Sequence, residues 1–458
     1  MKRNFLLLVS VLLIASSVVF GCAPQQAPAS PTSTQTVAKE LKFGILGPMK
    51  FALGQQTWNA AVISADMINE SGGIKVGKDT YTVKVIQYDT NEFISLDDAV
   101  SAAERAVTVD QCNFIIGGIR TEAVLAMQEV MMDHKVIYFD SGSGVPAPAD
   151  KVKKDYERYK YYFKPSFSAD MSIAGYSFAD ADAVGKKIKQ DLGIDKVKVA
   201  VSFDKVAFGD IWQGLAEKIF PAMGMEVVGV WRPSANANDL FSEASAIAAK
   251  EPHIIFVNMS AQGGAALVNA YAKLKIPAII AGSVTETQRL AFWKESGGAV
   301  NYVTGYDTIG RVKMSSKTIP FWDKYVAKFN EKPGYSSPFA EAGISAIKAA
   351  LEKAGTIDSD ALVPVLEKTD VEVTNGRLTF YGQNDKQPFH YGTVGPGFRT
   401  MVSYQWLDGK MPVYFPDGKP VNDVLIKMGF TPGFEKVRYE GTSDLTLPPW
   451  MVDYWKKK

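Results

Sequence analysis

From residue 41 onward, short β-branched apolar runs alternate with longer stretches in which apolar residues recur every three or four positions. The short runs predict strands and the longer stretches predict helices. In the first part of the chain, strands are expected at residues 41–46, 81–88, 114–116 and 136–139, and helices at residues 55–70, 96–108 and 121–133. Ser95 followed by Asp98 resembles a capping box at the start of the second helix. This alternation predicts an α/β fold with a doubly wound parallel sheet.

A second series with the same alternation follows. Its strands are expected at residues 197–203, 226–230, 254–258 and 302–306, and its helices at residues 172–192, 208–223, 240–250, 263–274, 319–330, 338–353 and 360–368. A β-rich tail begins at residue 378. One small sheet would not use so many strands, so the pattern favours two α/β lobes.

The two series are separated by residues 151–164, in which lysines and an arginine are interleaved with tyrosines. Such a tract is compatible with a nucleic-acid-binding face, where aromatic rings stack on bases. It is also compatible with a segment that crosses between the lobes and packs its tyrosines at their seam. The nearly neutral charge of the chain favours the second interpretation.

The N-terminus has the pattern of an export signal. Lys2 and Arg3 precede a mostly apolar run at residues 5–20 that is too short to span a bilayer, which predicts a cleaved signal peptide at residues 1–21. The last residues, Phe20-Gly21-Cys22, resemble the bacterial lipobox, although Phe20 is bulky for its position. Cys22 would then carry the lipid that anchors the protein at the membrane. An ordinary cleaved signal and an uncleaved anchor are the alternatives.

Residues 22–40 contain three prolines and no apolar periodicity, which predicts a flexible linker. The full chain of 458 residues has a globular composition, with 47% hydrophobic and 22% charged residues. The formal net charge is +1, and it becomes about −1 when Lys2 and Arg3 leave with the signal peptide, which argues against nucleic acid as a partner. Cys112 would be the only other cysteine, and its apolar surroundings predict a small buried residue.

Two segments carry a family resemblance. Residues 47–55 (Gly-Pro-Met-Lys-Phe-Ala-Leu-Gly-Gln) and residues 66–74 (Asp-Met-Ile-Asn-Glu-Ser-Gly-Gly-Ile) resemble the opening turn and first helix of the branched-chain-amino-acid type of periplasmic solute-binding protein. Later landmarks follow the family order: residues 115–118, 203–209 and 406–410. The resemblance covers about residues 41–415.

The resemblance implies two Rossmann-like, doubly wound lobes joined by three crossover segments, with the solute in the cleft between them. The first lobe would comprise residues 41–163 and 305–390, and the second lobe residues 164–304 and 391–415. Residues 416–458 would be a C-terminal extension beyond the family's usual end. The partners implied are a small solute and an ABC-type membrane permease, with the protein acting as a monomer outside the cytoplasm.

Candidate ligand residues lie after the strands of the first lobe, where helix N-termini offer free backbone N–H groups. By its position in the family's loops, this chain would hold a carboxylate with Thr121, Ser141 and Ser143. Arg120 departs from the family's small residue; it would grip a carboxylate if it points inward and would only solvate the loop if it points outward. Phe51, in the first loop, would be a core residue or part of the pocket.

In the second lobe, Phe208 stands where the family often has tyrosine and would form an apolar wall. Asn258 and Ser260 would be polar contacts. Glu286 lies two residues beyond the position of the family's ammonium-binding glutamate, which weakens the expectation of an α-amino acid. Asp204 and Asp307 are alternative acids for that role, or structural residues.

The sequence argues against an enzyme. His134, His253 and His390 lie far apart, and the chain contains no G-x-S-x-G or Walker motif, so no cofactor or metal is expected. The function predicted is a lipid-anchored solute-binding protein that delivers a branched-chain or other hydrophobic amino acid, or a related carboxylate, to a permease. The alternative is a receptor of the same fold that serves a sensor system and binds an amide, urea or an aromatic acid.

Overall fold

The computed structural model describes residues 39–168, 173–395, 397–429 and 443–458. The predicted signal peptide, Cys22 and residues 22–38 of the predicted linker lie outside the described residues. The first strand begins at Lys39, so the last two residues assigned to the linker are already β-structure. Within the described residues, no helix has the length and apolar character needed to cross a membrane.

The first lobe is built on a six-stranded sheet with the order β2-β3-β1-β4-β5-β6. Its strands are β1 (Lys39–Gly47), β2 (Ile74–Val76), β3 (Asp79–Asp89), β4 (Phe114–Gly117), β5 (Ile137–Asp140) and β6 (Tyr162–Phe163). The helices between them are α1 (Ala52–Glu70), α2 (Leu96–Glu104), α3 (Thr121–Asp133), α4 (Ala147–Lys154) and α5 (Tyr156–Tyr159). Every pairing is parallel except β2 with β3, and β4 and β5 are buried throughout.

The second lobe contains a four-stranded parallel sheet with the order β10-β9-β7-β8. Its strands are β7 (Lys198–Phe203), β8 (Glu226–Trp231), β9 (Ile254–Met259) and β10 (Ile279–Val284). Its helices are α6 (Ala174–Leu192), α7 (Ala207–Ala222), α8 (Phe241–Ala248), α9 (Gln262–Leu274) and α10 (Phe292–Glu295). Strand β10 is absent from the sequence-based assignment.

The remaining elements are mostly helical. They are β11 (Thr304–Asp307), α11 (Thr318–Phe329), α12 (Ser337–Ala354), α13 (Ser359–Leu366), β12 (Val371–Val373), β13 (Gly376–Leu378), β14 (Val402–Gln405), β15 (Val413–Tyr414), α14 (Lys419–Lys427) and α15 (Pro449–Lys456). Strands β11, β14 and β15 form an antiparallel sheet whose β11 lies beside β10. The six-stranded and four-stranded sheets, each with helices between its strands, confirm the two predicted Rossmann-like lobes.

Separate apolar cores stabilise the lobes. The first core takes buried residues from 41–163 and again from 309–391, so helices α11 to α13 return to the first sheet. Two further cores cover the two faces of the second sheet. Strand β11 spans the lobe boundary predicted at residue 305, yet it packs on the second lobe: Tyr306 lies in a second-lobe core, and the Thr304 hydroxyl donates a hydrogen bond to Asp180 of α6 at 3.0 Å.

The described parts of the C-terminal extension pack on the second lobe. Val421 and Leu425 of α14, and Met451 of α15, are buried in the core beneath α6 and α7. The indole Nε1 of Trp455 donates a hydrogen bond to the Pro277 carbonyl at 2.6 Å, and its ring lies 4.3 Å from that of His253. The extension therefore covers the end of the second sheet where β9 and β10 begin.

Two local predictions can be compared with the structure. The Asp98 N–H donates to the Ser95 hydroxyl at 3.2 Å, which confirms the cap of α2, but this helix ends at Glu104 and continues only as a π-helical turn. The tyrosine-rich tract does not pack its rings at the seam. Tyr161 and Tyr162 are buried in the first core because the tract contributes β6 to that sheet.

Candidate functional site

A cavity of about 50 Å³ lies between the two lobes. One water needs only ~10–15 Å³ of such space, so the cavity admits something larger. Its apolar lining consists of Leu53, Phe93, Ile119, Val206, Phe208 and Met259, with Gly142 and Gly144. Its polar lining consists of Arg120, Thr121, Glu122, Asn258, Ser260, Ser283, Thr285, Tyr306 and Tyr335. The mixture of apolar walls and a few polar groups is typical of small-molecule sites.

Helix α3 points its N-terminus at this cavity. The chain leaves β4 through Gly117 and Gly118, which have φ angles of 133° and 83°; a Cβ at Gly117 would lie 1.9 Å from the Leu46 carbonyl oxygen. This tight turn places Thr121 as the first helical residue. Its side chain is buried, and Oγ1 has no hydrogen-bond partner among the described residues. A hydroxyl donor at a positive helix end suits an anionic group.

The two amides before the helix are already occupied by Glu92. This carboxylate accepts hydrogen bonds from the N–H groups of Ile119 (2.7 Å) and Arg120 (3.0 Å) and from the Thr90 hydroxyl (3.0 Å). Burial raises the pKa of Glu92 to about 7, although these hydrogen bonds work in the opposite direction. The Glu92 carboxyl group thus occupies the two loop amides, whereas the Thr121 hydroxyl has no hydrogen-bond partner among the described residues.

Arg120 lines the cavity but is held by its own lobe. Nη1 donates to the Glu92 carbonyl at 3.2 Å, and Nε donates to Oε2 of Glu122 at 3.4 Å. The Arg120 side chain is 24% exposed, so it neither points fully into the cavity nor lies fully in solvent, the two alternatives that were predicted. Two of its three nitrogens are engaged, which leaves Nη2 for a ligand.

Ser141 and Ser143 were predicted as ligand residues, but they do not line the cavity. The Asp140 carboxylate accepts hydrogen bonds from the Ser143 N–H at 2.9 Å and from the Ser143 hydroxyl. The fully buried Lys164 donates a hydrogen bond to the same hydroxyl at 2.8 Å. The Ser141 hydroxyl faces that of Thr57 at 3.3 Å in the buried interior. The buried pair of Asp140 and Lys164 therefore shapes the loop from behind, and only Gly142 and Gly144 face the cavity.

Phe208, predicted to form an apolar wall, lines the cavity and reaches from the second lobe to the first. A Cβ at Gly144 would lie 2.2 Å from Cδ2 of Phe208, so the ring rests directly on the glycine backbone. On its other side, the ring packs edge-on against Trp212 at 6.0 Å. The absence of a side chain at Gly144 is what allows this contact between the lobes.

Asn258 and Ser260, predicted as polar ligand contacts, lie in the second-lobe wall of the cavity and are positioned by neighbours. Asn258 Oδ1 accepts from the Tyr306 hydroxyl at 2.5 Å. The Ser260 N–H and hydroxyl donate to Asp204 at 2.6 and 2.9 Å, and burial raises the pKa of Asp204. Asp204 therefore supports the wall and does not line the cavity.

The other predicted residues lie outside the lining. Phe51 packs edge-on against Phe93 at 5.0 Å, behind the cavity wall. Glu286 accepts a hydrogen bond from the Ala52 N–H at 3.0 Å instead of facing the cavity. Asp307 pairs with the buried Lys332 at 2.7 Å. Among the described residues, no group of three or more His, Cys, Asp or Glu side chains could hold a metal ion.

Sequence reasoning missed several lining residues for identifiable reasons. Ser283 lies at the end of β10 and Thr285 directly follows that strand, which was not assigned from the sequence; the pairing of Ser283 with Asn258 brings these two to the same strand end. Tyr335 comes from the loop before α12, distant in sequence from every other lining residue. Tyr306 could have been proposed as a lining residue, because it is the last residue of the strand predicted at residues 302–306.

Comparison with known proteins gives a consistent picture. The family model described as "Periplasmic binding protein" matches residues 42–396. A Leu/Ile/Val-binding protein homolog 8 from Brucella suis biovar 1 (strain 1330) is 23% identical over 420 residues, which cover 88% of this chain and 96% of the relative.

Solved structures share the fold. The substrate-binding protein LivJ of Streptococcus pneumoniae, in complex with isoleucine, superposes with a TM-score of 0.65 at 19% identity and covers 81% of this chain and 98% of its own. A solute-binding protein of Rhodopseudomonas palustris BisB5, in complex with 3,4-dihydroxybenzoic acid, has a TM-score of 0.64 at 19% identity, with coverages of 81% and 95%. The chain therefore belongs to the periplasmic binding protein family.

Proposed function

We propose that this protein is an extracytoplasmic solute-binding lipoprotein that captures a small hydrophobic carboxylate between its lobes and delivers it to an ABC-type permease. The observation that carries the proposal is the Thr121 hydroxyl, which is buried, unpartnered among the described residues and placed at the N-terminus of α3 in the cavity. A ligand carboxylate there would gain a charge-assisted hydrogen bond and the helix dipole.

The lining favours a carboxylate without an α-ammonium group. Among the lining residues that the structure describes, Glu122 is the only acidic side chain, and its two oxygens are engaged by Arg120 and by the Ala207 N–H. An ammonium ion would therefore enter without a free acid and would lose its hydration uncompensated. Phe93 and Phe208 supply walls that suit a flat ring or a branched alkyl chain. The relative that binds 3,4-dihydroxybenzoic acid supports an acid of this class.

Matched ligands test this proposal. Isothermal titration of the purified protein with leucine and with 4-methylpentanoate compares two molecules that differ only in the amino group, and benzoate adds an aromatic acid. We expect the two acids without an amino group to bind more tightly than leucine. Saturation at 100 times the dissociation constant should add about 2.7 kcal/mol to the stability. Tighter binding of leucine would refute the proposed class, and a failure of all three to bind would refute the hydrophobic carboxylate itself.

Variants identify the carboxylate contact. Thr121→Val keeps the shape and removes the hydroxyl, and it should weaken binding of 4-methylpentanoate by roughly 10-fold to 100-fold, the worth of one charge-assisted hydrogen bond. Thr108→Val on the exposed surface of the first lobe is the matched control. Arg120→Ala should weaken binding less, because only Nη2 is available. Unchanged affinity in Thr121→Val would show that the carboxylate lies elsewhere.

The anchor and the transport role need separate tests. Cys22→Ser should release the protein from the membrane fraction of the cells that produce it, and retention of that variant would contradict lipidation. Deleting the chain should abolish uptake of the labelled acid if the protein feeds a permease. A change in gene expression with normal uptake would instead support the alternative of a sensor receptor.

A further inference from the structure

Two helices that face the cleft lack an N-terminal cap of their own. Helix α1 begins after Phe51 and helix α7 begins after Val206, and neither flanking residue offers a side-chain hydrogen bond to the helix. Ser95, by contrast, caps α2 within its own lobe. The first N–H groups of α1 and α7 therefore need other partners when the lobes are together.

The second lobe supplies the partner for α1. Oε1 of Glu286, in the turn after β10, accepts a hydrogen bond from the Ala52 N–H at 3.0 Å. Its other oxygen accepts from Nε of Arg289 at 3.2 Å, which holds the carboxylate in place. The Glu286 side chain is 13% exposed, so the contact is largely shielded from water.

The first lobe supplies the partner for α7 in the same way. Oε1 of Glu122 accepts from the Ala207 N–H at 3.5 Å, and Oε2 accepts from Nε of Arg120 at 3.4 Å. Each lobe thus contributes one glutamate, held by an arginine of that lobe, to a helix N-terminus of the other lobe. The helix dipoles make both contacts favourable for a carboxylate.

We propose that Glu122 and Glu286 are positioning residues for lobe closure, two reciprocal carboxylate caps that form only when the lobes meet. When the lobes separate, both helix ends lose their caps together and both glutamates return to water. The caps therefore raise the population of the closed form and, with it, the apparent affinity for the solute. A single helix cap corresponds to roughly a factor of five in this equilibrium.

Hydrogen exchange at single-amide resolution tests the coupling without any ligand. In Glu286→Ala we expect exchange to accelerate roughly fivefold at Ala52 and also at Ala207, although Ala207 contacts only Glu122. Glu122→Ala should accelerate both amides in the same way, because either variant increases the opening of the lobes. Acceleration confined to the amide that lost its own partner would reduce the two contacts to local caps and overturn the proposal.

A matched control separates closure from ordinary capping. Asp358 caps α13 through the Ala361 N–H at 2.9 Å within one lobe, so Asp358→Ala should accelerate exchange near Ala361 and leave Ala52 and Ala207 unchanged. Glu286→Gln keeps a hydrogen-bond acceptor and removes the charge, and we expect an intermediate acceleration at both cleft amides. Circular dichroism confirms that each variant is folded.

A test by ligand affinity rests on the proposed function, whereas the hydrogen-exchange experiment does not. Titration with 4-methylpentanoate should give roughly fivefold weaker binding for Glu286→Ala, whose side chain does not line the cavity. Unchanged affinity in Glu286→Ala, measured with an acid that the wild type binds, would contradict the inference. If no acid binds the wild type, the proposed function fails while the exchange result still decides the role of the caps.

Discussion

Replacing Glu92 with glutamine should remove a pH dependence of folding stability that this one carboxyl group creates. The side chain is fully buried, and burial raises its pKa from 4.5 to about 7. The folded state therefore favours the protonated form more than the unfolded chain does. Its contribution to stability is fully present below pH 4.5 and is lost as the pH rises through 7.

The magnitude follows from the difference between the two pKa values. A difference of about 2.5 corresponds to about 3 kcal/mol of unfolding free energy. Glutamine keeps an oxygen that can accept from the Ile119 and Arg120 amides, and its NH₂ group can donate to the Thr90 hydroxyl. Glu92→Gln should therefore fold with the loop intact and without the cost of burying a charge at high pH.

Urea unfolding of both proteins between pH 4.5 and 8 measures the effect. The difference between them isolates Glu92, because the other titrating groups, including His253 with a pKa lowered to about 4 by burial, are common to both. We expect the variant to gain about 3 kcal/mol relative to the wild type across this range. Glu157→Gln, whose side chain is 82% exposed, should show no such trend. A stability difference for Glu92→Gln that stays constant with pH would refute the reasoning.

Three further outcomes are expected. Lys164→Met should cost ~3–5 kcal/mol of unfolding free energy in urea titrations, because it leaves the Asp140 carboxylate buried and without its cation. Gly144→Ala should enlarge the radius of gyration measured by X-ray scattering and weaken solute binding, since the new Cβ would collide with the Phe208 ring at 2.2 Å. Trp455→Ala should lower the unfolding free energy by about 2 kcal/mol, because it removes a half-buried indole and its hydrogen bond from the end of the second sheet.

Control variants define what would contradict these outcomes. Lys186→Met removes an exposed lysine that pairs with Asp182, and a loss as large as that of Lys164→Met would mean that burial of the pair is not the cause. Gly214→Ala adds a methyl group with no atom within 4 Å, so it should leave the scattering curve unchanged. Retention of full stability in Trp455→Ala would show that the C-terminal extension is only loosely attached.

The sequence was sufficient to predict those strands and helices whose apolar pattern is local. Residues 114–116 form one uninterrupted apolar run, and the structure places them in a strand buried on both faces. Helix α3 begins and ends where its periodicity predicted. Strand β10 was not predicted because Gly282 interrupts its short apolar run. Gly282 has a φ of 107°, and a Cβ there would lie 2.0 Å from the Val257 carbonyl oxygen, so the close approach of the two backbones requires glycine.

The candidate site was less predictable because its chemistry depends on residues distant in sequence. Ser143 lies in a loop of small and hydroxyl residues, which is typical of a ligand-binding loop. Its hydroxyl nevertheless accepts a hydrogen bond from Lys164, which belongs to the tract that was interpreted as a crossing segment. Glu92 gave no signal in the sequence, although it occupies the two amides that lead into α3. A pattern along the chain identifies the loop but does not show which of its donors are already satisfied.

The distribution of carboxylates among helix ends accounts for where a ligand anion can bind. Helices α1, α3 and α7 direct their N-termini toward the cleft, and each of these ends attracts negative charge. The ends of α1 and α7 are taken by Glu286 and Glu122 when the lobes are together. At α3, Glu92 satisfies only the preceding amides, and the Thr121 hydroxyl has no partner among the described residues. If the two glutamates cap these helices on closure as proposed, a competing carboxylate would have to displace one of them and thereby open the lobes, so we expect the closed form to direct a ligand anion to α3.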